Sequence, residues 1–160
     1  MKQYFVILAM ILICQAGSSQ TMNQLFNEFS KVKDTNLIEM QTNNATIGNI
    51  TLNQIKASTE EIGVNNIELL NFDKCSNKIK ERFNKAIKEL DDPKFETIVT
   101  SNEEGNRRKV LIRIEDETIR ELVFLTSGDN CNLIRIQGNI AFSDIDKMLK
   151  YPKEYILEDK

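Results

Sequence analysis

The chain offers cysteines, neighbouring carboxylates and one basic cluster for chemistry, but it contains no histidine. Histidine is the most frequent general base and the commonest metal ligand, so its absence excludes Ser-His-Asp and Cys-His catalytic arrangements. Acids occur as close neighbours at Asp91-Asp92, at Glu115–Glu117, and at Asp144 and Asp146. A glycosidase needs two carboxylates that face each other across a cleft, which neighbours on one turn do not provide. We expect these acids to keep hairpins soluble and to stabilise helix N-termini.

Cofactor and nucleic-acid signatures are also missing from the sequence. There is no G-x-G-x-x-G fingerprint, no phosphate-binding loop and no EF-hand spacing. The formal net charge is −3, with acidic and basic residues interspersed, whereas a nucleic-acid-binding surface carries a basic patch or stripe. We therefore predict no catalytic residues, no cofactor, no metal site and no nucleic-acid partner.

The basic cluster consists of Arg107, Arg108 and Lys109. It enters a predicted strand opposite Glu103-Glu104, which favours cross-strand charge pairing. The alternative is a weak anion patch that would bind an anionic ligand or a lipid headgroup.

Cys75 and Cys131 allow two interpretations. Export to an oxidising compartment would permit a disulfide, which would stabilise the fold by about 4 kcal/mol through loop entropy. The alternative is two separate thiols, each at the end of an element. A redox-active pair is not indicated, because the sequence has no C-x-x-C spacing.

The first 19 residues have the organisation of a signal peptide. Lys2 supplies the positive charge, Tyr4–Cys14 is an apolar run, and small residues follow up to Ser18 and Ser19. A membrane span needs about 20 apolar residues, so the run is too short to be one. We predict export to the periplasm or the exterior, with cleavage near Ser18 or Ser19. Loss of Lys2 would change the formal net charge from −3 to −4.

Two other fates of the N-terminus remain open. A cysteine just after an apolar run, here Cys14, resembles a bacterial lipidation site, although Ile13 stands where a small residue is usual. Retention as a membrane-tethered precursor is the other alternative. Contact with a membrane is expected only if the chain is lipidated or retained.

Three helices are predicted from apolar residues at helical spacing. The first runs from Met22 to Val32 with Thr21 as N-cap, and the second from Asp73 to Asp92, where the following proline ends it. The third begins at Ser143 and buries Ile145, Met148 and Leu149.

Alternating side chains predict six strands. Two short ones are Leu37–Gln41 and Asn66–Phe72, and residues 95–140 contain four more, joined by polar hairpin turns. We interpret the segment Thr42–Gly63 as a solvated polar connection with a short helix, and the alternative is a functional loop on the rigid sheet.

This order predicts an α+β fold in which helices cover one face of a mostly antiparallel sheet with a C-terminal four-stranded meander. Residues 20–150 form a single domain, followed by a C-terminal tail over residues 151–160.

A family resemblance covers essentially the whole mature chain. It rests on the phrases LFNEFSK and VNNIELLNF, and on the segments Ile119–Phe124, Asn132–Ile140 and Asp144–Leu149. Together these resemble the domain of unknown function 4252 family. The resemblance implies a small exported protein of Bacteroidetes envelopes, in some cases encoded near extracytoplasmic-type sigma factors. None of the matching motifs is catalytic, so no functional residues are carried over.

The expected function is a non-catalytic domain that binds or scaffolds an envelope protein or another macromolecule. One alternative is an accessory component of envelope-stress or sigma-factor-linked regulation, as the resemblance implies. The other is a carboxylate-based hydrolase, which would need two acids that converge from different elements.

Overall fold

The structure of the chain is a computed structural model that describes residues 20–41, 63–103, 105–146 and 148–149. The predicted signal peptide, including Cys14, lies outside these residues, as do most of the polar connection and the predicted tail. In the part that is described, no helix combines the length and the hydropathy needed to cross a membrane.

Two helices form the first layer, and both are shorter than predicted. Helix α1 spans Met22–Phe29 and begins with a capping box, in which the Gln24 amide donates to Thr21 Oγ1 and the Thr21 amide donates to Gln24 Oε1. Helix α2 spans Asn77–Glu89. Leu90 is already extended, three residues before the proline.

Six strands form the second layer. They are β1 (Asn36–Gln41), β2 (Val64–Asn71), β3 (Glu96–Glu103), β4 (Asn106–Glu115), β5 (Thr118–Ser127) and β6 (Asn132–Ile140). All pairs are antiparallel, and the sheet order is β1-β2-β6-β5-β4-β3. The predicted α+β class with an antiparallel sheet is confirmed. The last four strands are neighbours in chain order, and β1 and β3 are the edges of this sheet.

Helices α1 and α2 pack on one face of the sheet, which we call the helix face. Their apolar sides meet Leu70, Val123 and Leu125 from three strands in one buried cluster. At its centre the rings of Phe29, Phe72 and Phe83 meet, with centroids 4.3 to 5.8 Å apart. Aromatic contacts of this kind stabilise beyond the area they bury.

The opposite face of the sheet has its own apolar cluster, and this corrects the expectation that all helices lie on one face. After β6 the chain forms a short 3-10 helix, Phe142–Asp144, and further helical residues follow. Met148 is fully buried against the opposite face, with Ile145 and Leu149 beside it. At the end of the sheet where these three residues lie, the helix face carries polar side chains. The apolar side chains therefore pack against the opposite face.

Candidate binding site

The helix face carries a set of polar side chains next to α1. We call this set the polar cluster, and it comprises Asn66, Glu68, Arg113, Glu121, Arg135 and Gln137. The strand register assembles it from four strands, because Arg113 lies opposite Glu121, Glu121 and Asn66 lie opposite Gln137, and Glu68 lies opposite Arg135. Side chains that share a face and a register are near neighbours in an antiparallel sheet.

Glu121 is the buried centre of the polar cluster, with 2% of its side chain exposed. Arg113 Nε donates to one carboxylate oxygen at 3.3 Å, and Arg135 Nε donates to the other. A buried carboxylate is tolerated only where it is paired and hydrogen-bonded, which the two guanidinium groups achieve. Arg113 also pairs with Glu115 at the exposed margin.

Arg135 connects the polar cluster to α1. Its Nη2 donates to Asn23 Oδ1 at 2.9 Å, and its Cζ lies 5.6 Å from the centroid of the Phe26 ring. The same guanidinium reaches Glu68, with Nη1 3.5 Å from Glu68 Oε2. One planar cation therefore contacts an amide, a ring and two carboxylates, which fixes its position.

Two buried oxygens of the cluster have no hydrogen-bond donor among the residues that the structure describes. Glu68 Oε2 lies within ion-pair distance of Arg135 but receives no hydrogen bond, and Asn66 Oδ1 has no donor although its Nδ2 donates to Gln137 Oε1 at 3.0 Å. Burial raises the pKa of Glu68, Arg135 opposes this, and the charges of Glu39 and Glu121 raise it further. Around Glu68 and Asn66, the described part of the cluster therefore has fewer hydrogen-bond donors and less positive charge than its acceptors require.

The charge balance of the cluster and its margins is negative. Glu39, opposite Glu68 on β1, and Glu115 add to the two buried carboxylates, so four acids stand against Arg113 and Arg135. Such a site can bind a group that brings donors and positive charge. Among the described residues, no three His, Cys, Asp or Glu side chains come together as a metal-binding group.

The family model described as "Domain of unknown function (DUF4252)" matches residues 19–148. The chain belongs to this family. No curated protein and no solved structure matches the chain. Every residue of the polar cluster lies within the matched range, so the candidate site is part of the DUF4252 domain itself.

The two cysteines of this DUF4252 domain are buried free thiols, as in the second of the two alternatives. Cys75 Sγ lies 3.5 Å from Thr35 Oγ1, whereas Cys131 Sγ donates to the Gly128 carbonyl at 2.9 Å. Burial raises the pKa of the Cys131 thiol, which keeps it protonated and poorly nucleophilic. The two thiols are not bridged in this structure, and each contacts its own polar partner.

The basic cluster does not form one patch in the structure. Arg107 lies opposite Asn102, Arg108 opposite Ser101 and Lys109 opposite Thr100. Glu103 lies opposite Asn106 rather than a base. Successive strand residues point to opposite faces, so Arg108 lies on the other face of the sheet from Arg107 and Lys109. No base therefore lies directly opposite Glu103, and Glu104 lies outside the described residues.

The polar cluster was not predicted, although the sequence carries a signal for it. Arg113 and Arg135 each stand between two isoleucines in an apolar strand, and Glu121 directly precedes the apolar run Leu122–Leu125. Charged residues at such positions need buried partners, since an unpaired buried charge is costly.

Asp92 has a structural role, since its Oδ2 accepts from the Met22 amide at 3.0 Å at the start of α1.

Proposed function

We propose that this DUF4252 protein is an exported, non-catalytic binding domain of the cell envelope whose polar cluster contacts a partner macromolecule. The observation that carries the proposal is the pair of buried acceptors, Glu68 Oε2 and Asn66 Oδ1, which have no hydrogen-bond donor in the part of the chain that the structure describes. An unsatisfied buried acceptor costs about 1–3 kcal/mol, and a partner that supplies donors recovers this energy.

A carboxylate-based hydrolase is the second candidate, and one observation favours it. The raised pKa of Glu68 is the property of a general acid, and Glu121 belongs to the same cluster. However, Glu121 is buried and both of its oxygens accept from arginines, so it has no free oxygen to serve as nucleophile or base. Binding therefore accounts for the geometry better than catalysis.

Export is supported by the charge, apolar run and small residues of positions 1–19, and by the family match, which begins at residue 19. Intact mass of the protein purified from an exporting host tests it. We expect a chain that starts near Gln20, carries no acyl group and keeps Cys75 and Cys131 as alkylatable thiols. A chain that starts at an acylated Cys14 would make it a lipoprotein, and an uncleaved chain would contradict export.

Binding is tested by a photo-crosslinking residue placed at Glu39, beside the polar cluster, in the exporting host. The matched control places it at Glu89, which is exposed on α2. We expect a discrete adduct from position 39 and none from position 89. The same adducts from both positions, or none from position 39, would contradict the proposal. An adduct with an envelope regulator would favour the accessory role in envelope-stress or sigma-factor-linked regulation.

A further inference from the structure

Among the described residues, strand β1 is an edge of the sheet that lacks two common protections against strand addition, a register irregularity and a lysine or proline. Its six residues pair with β2 in unbroken register from Asn36 to Gln41. The other edge, β3, has a register shift between Thr97 and Val99, and such irregularities protect sheet edges. β1 also lacks lysine and proline, the residues that most often block edge pairing.

The exposed side chains of β1 define what an added strand would meet on the helix face. Leu37, with 36% of its surface exposed, lies opposite Leu70, and the exposed Glu39 lies opposite Glu68. In an added antiparallel strand, the residues opposite Glu39 and Leu37 would be two positions apart and on this same face. An apolar residue suits Leu37, and a cation suits Glu39.

Building on the proposed binding function, we infer that the outer edge of β1 binds an extended peptide segment that carries lysine or arginine two positions before an apolar residue. Such a segment would add a seventh strand to the sheet. Its basic side chain would extend the charged row that runs from Glu121 through Arg135 and Glu68 to Glu39.

Charge complementarity supports a basic occupant. Glu39 and Glu68 are directly opposite each other, and like charges in that position destabilise a strand pair. Arg135 already donates hydrogen bonds to Glu121 and Asn23, and its Nη1 lies 3.5 Å from Glu68 Oε2. The pKa of Glu68 is raised mainly by burial, and the nearby charges of Glu39 and Glu121 raise it further. A cation next to Glu39 relieves this repulsion.

Neither edge strand of a second copy supplies the missing charge among the described residues. Its own β1 would bring another Glu39 to the edge, and its β3 carries Glu96 and Glu103 but no basic residue. We therefore take the occupant to be a segment of a different polypeptide, and self-association is an outcome that the test must separate.

Fluorescence anisotropy of the mature chain with two labelled peptides tests the inference. The first probe is Ser-Thr-Lys-Thr-Val-Thr-Ser, and the second has glutamate in place of lysine. We expect the lysine peptide to bind, binding to weaken with added salt, and the glutamate peptide to bind roughly tenfold or more weakly. Amide hydrogen exchange of residues 36–41 should slow with the lysine peptide.

Charge reversal at the two edges gives matched variants. Glu39→Lys should weaken the lysine peptide roughly tenfold and admit the glutamate peptide, whereas Glu96→Lys on β3 should change neither. Equal binding of both peptides, no binding of the lysine peptide, or equal effects of the two variants would overturn the inference. So would protection of residues 36–41 that depends on protein concentration alone, the sign of self-association.

A failure of the peptide-binding inference can be distinguished from a failure of the proposed binding function. If the lysine peptide fails while position 39 still forms its discrete adduct in the envelope, the peptide chemistry is wrong and the binding function stands. If neither occurs, both are wrong.

Discussion

At the scale of single residues, Glu121 is the carboxylate on which the polar cluster depends. We expect Glu121→Gln to lower the free energy of unfolding by about 3–5 kcal/mol, because Arg113 and Arg135 would lose a buried counter-charge that both contact. Urea unfolding at neutral pH measures this change. The matched control is Glu115→Gln, which removes a half-exposed partner of the same Arg113 and should cost about 0–1 kcal/mol. Similar costs for the two variants would mean that solvent screens the cluster.

For Glu68 we expect the opposite effect on stability, because removing its carboxylate should stabilise the fold at pH 7. Its pKa is raised mainly by burial, so the folded state takes up a proton at a higher pH than the unfolded state. Wild-type stability relative to Glu68→Gln therefore rises as pH falls from neutral through the folded pKa towards the ordinary value of 4.5. We expect the variant to be the more stable of the two at pH 7 and its advantage to shrink on acidification. Urea unfolding at several pH values tests this, and an advantage that grows on acidification would contradict it.

At the scale of elements, the turn between β5 and β6 depends on a glycine for two reasons. Gly128 has a φ of +125°, and a Cβ there would lie 2.3 Å from Asn106 Oδ1 and 2.9 Å from the Gly105 carbonyl oxygen. Gly105 has a φ of +80° but open space around its Cβ position. We expect Gly105→Ala to cost about 1 kcal/mol from backbone strain alone, and Gly128→Ala to cost clearly more. Thermal unfolding of both variants measures the difference in stability. Equal losses of stability would show that backbone strain, and not the close contacts at Gly128, sets the cost.

The elements were predictable from the sequence, but their register was not. The alternation of Leu122 and Phe124 with Glu121 assigns β5 and its two faces, since side-chain direction is a local property. The approach of Glu68 to Arg135 instead depends on how β2 pairs with β6, and a local pattern gives a face rather than a neighbour. Acids and bases that are adjacent in the chain do not form the candidate site, which joins residues that are adjacent across strands.

At the scale of the whole molecule, the helix-side core joins parts of the chain that are distant in sequence. Phe29 comes from α1, Phe72 follows β2 and Phe83 comes from α2, and both buried thiols belong to the same cluster. The helix layer is therefore attached to the sheet chiefly through these rings. Cys75 and Cys131 should gain access to solvent when this layer separates from the sheet.

Thiol labelling of the mature chain tests this coupling. In water we expect both cysteines to react far more slowly than in denaturant, and at similar rates, because one opening event exposes both. Phe83→Ala should cost about 3–5 kcal/mol and speed both reactions by roughly two orders of magnitude or more, since labelling follows the population of the open state. Cys75 lies in the connection between β2 and α2, while Cys131 immediately precedes β6. If Phe83→Ala accelerates only Cys75, the layer opens locally around α2 while the sheet stays closed, and the helix-side core is not one cooperative unit.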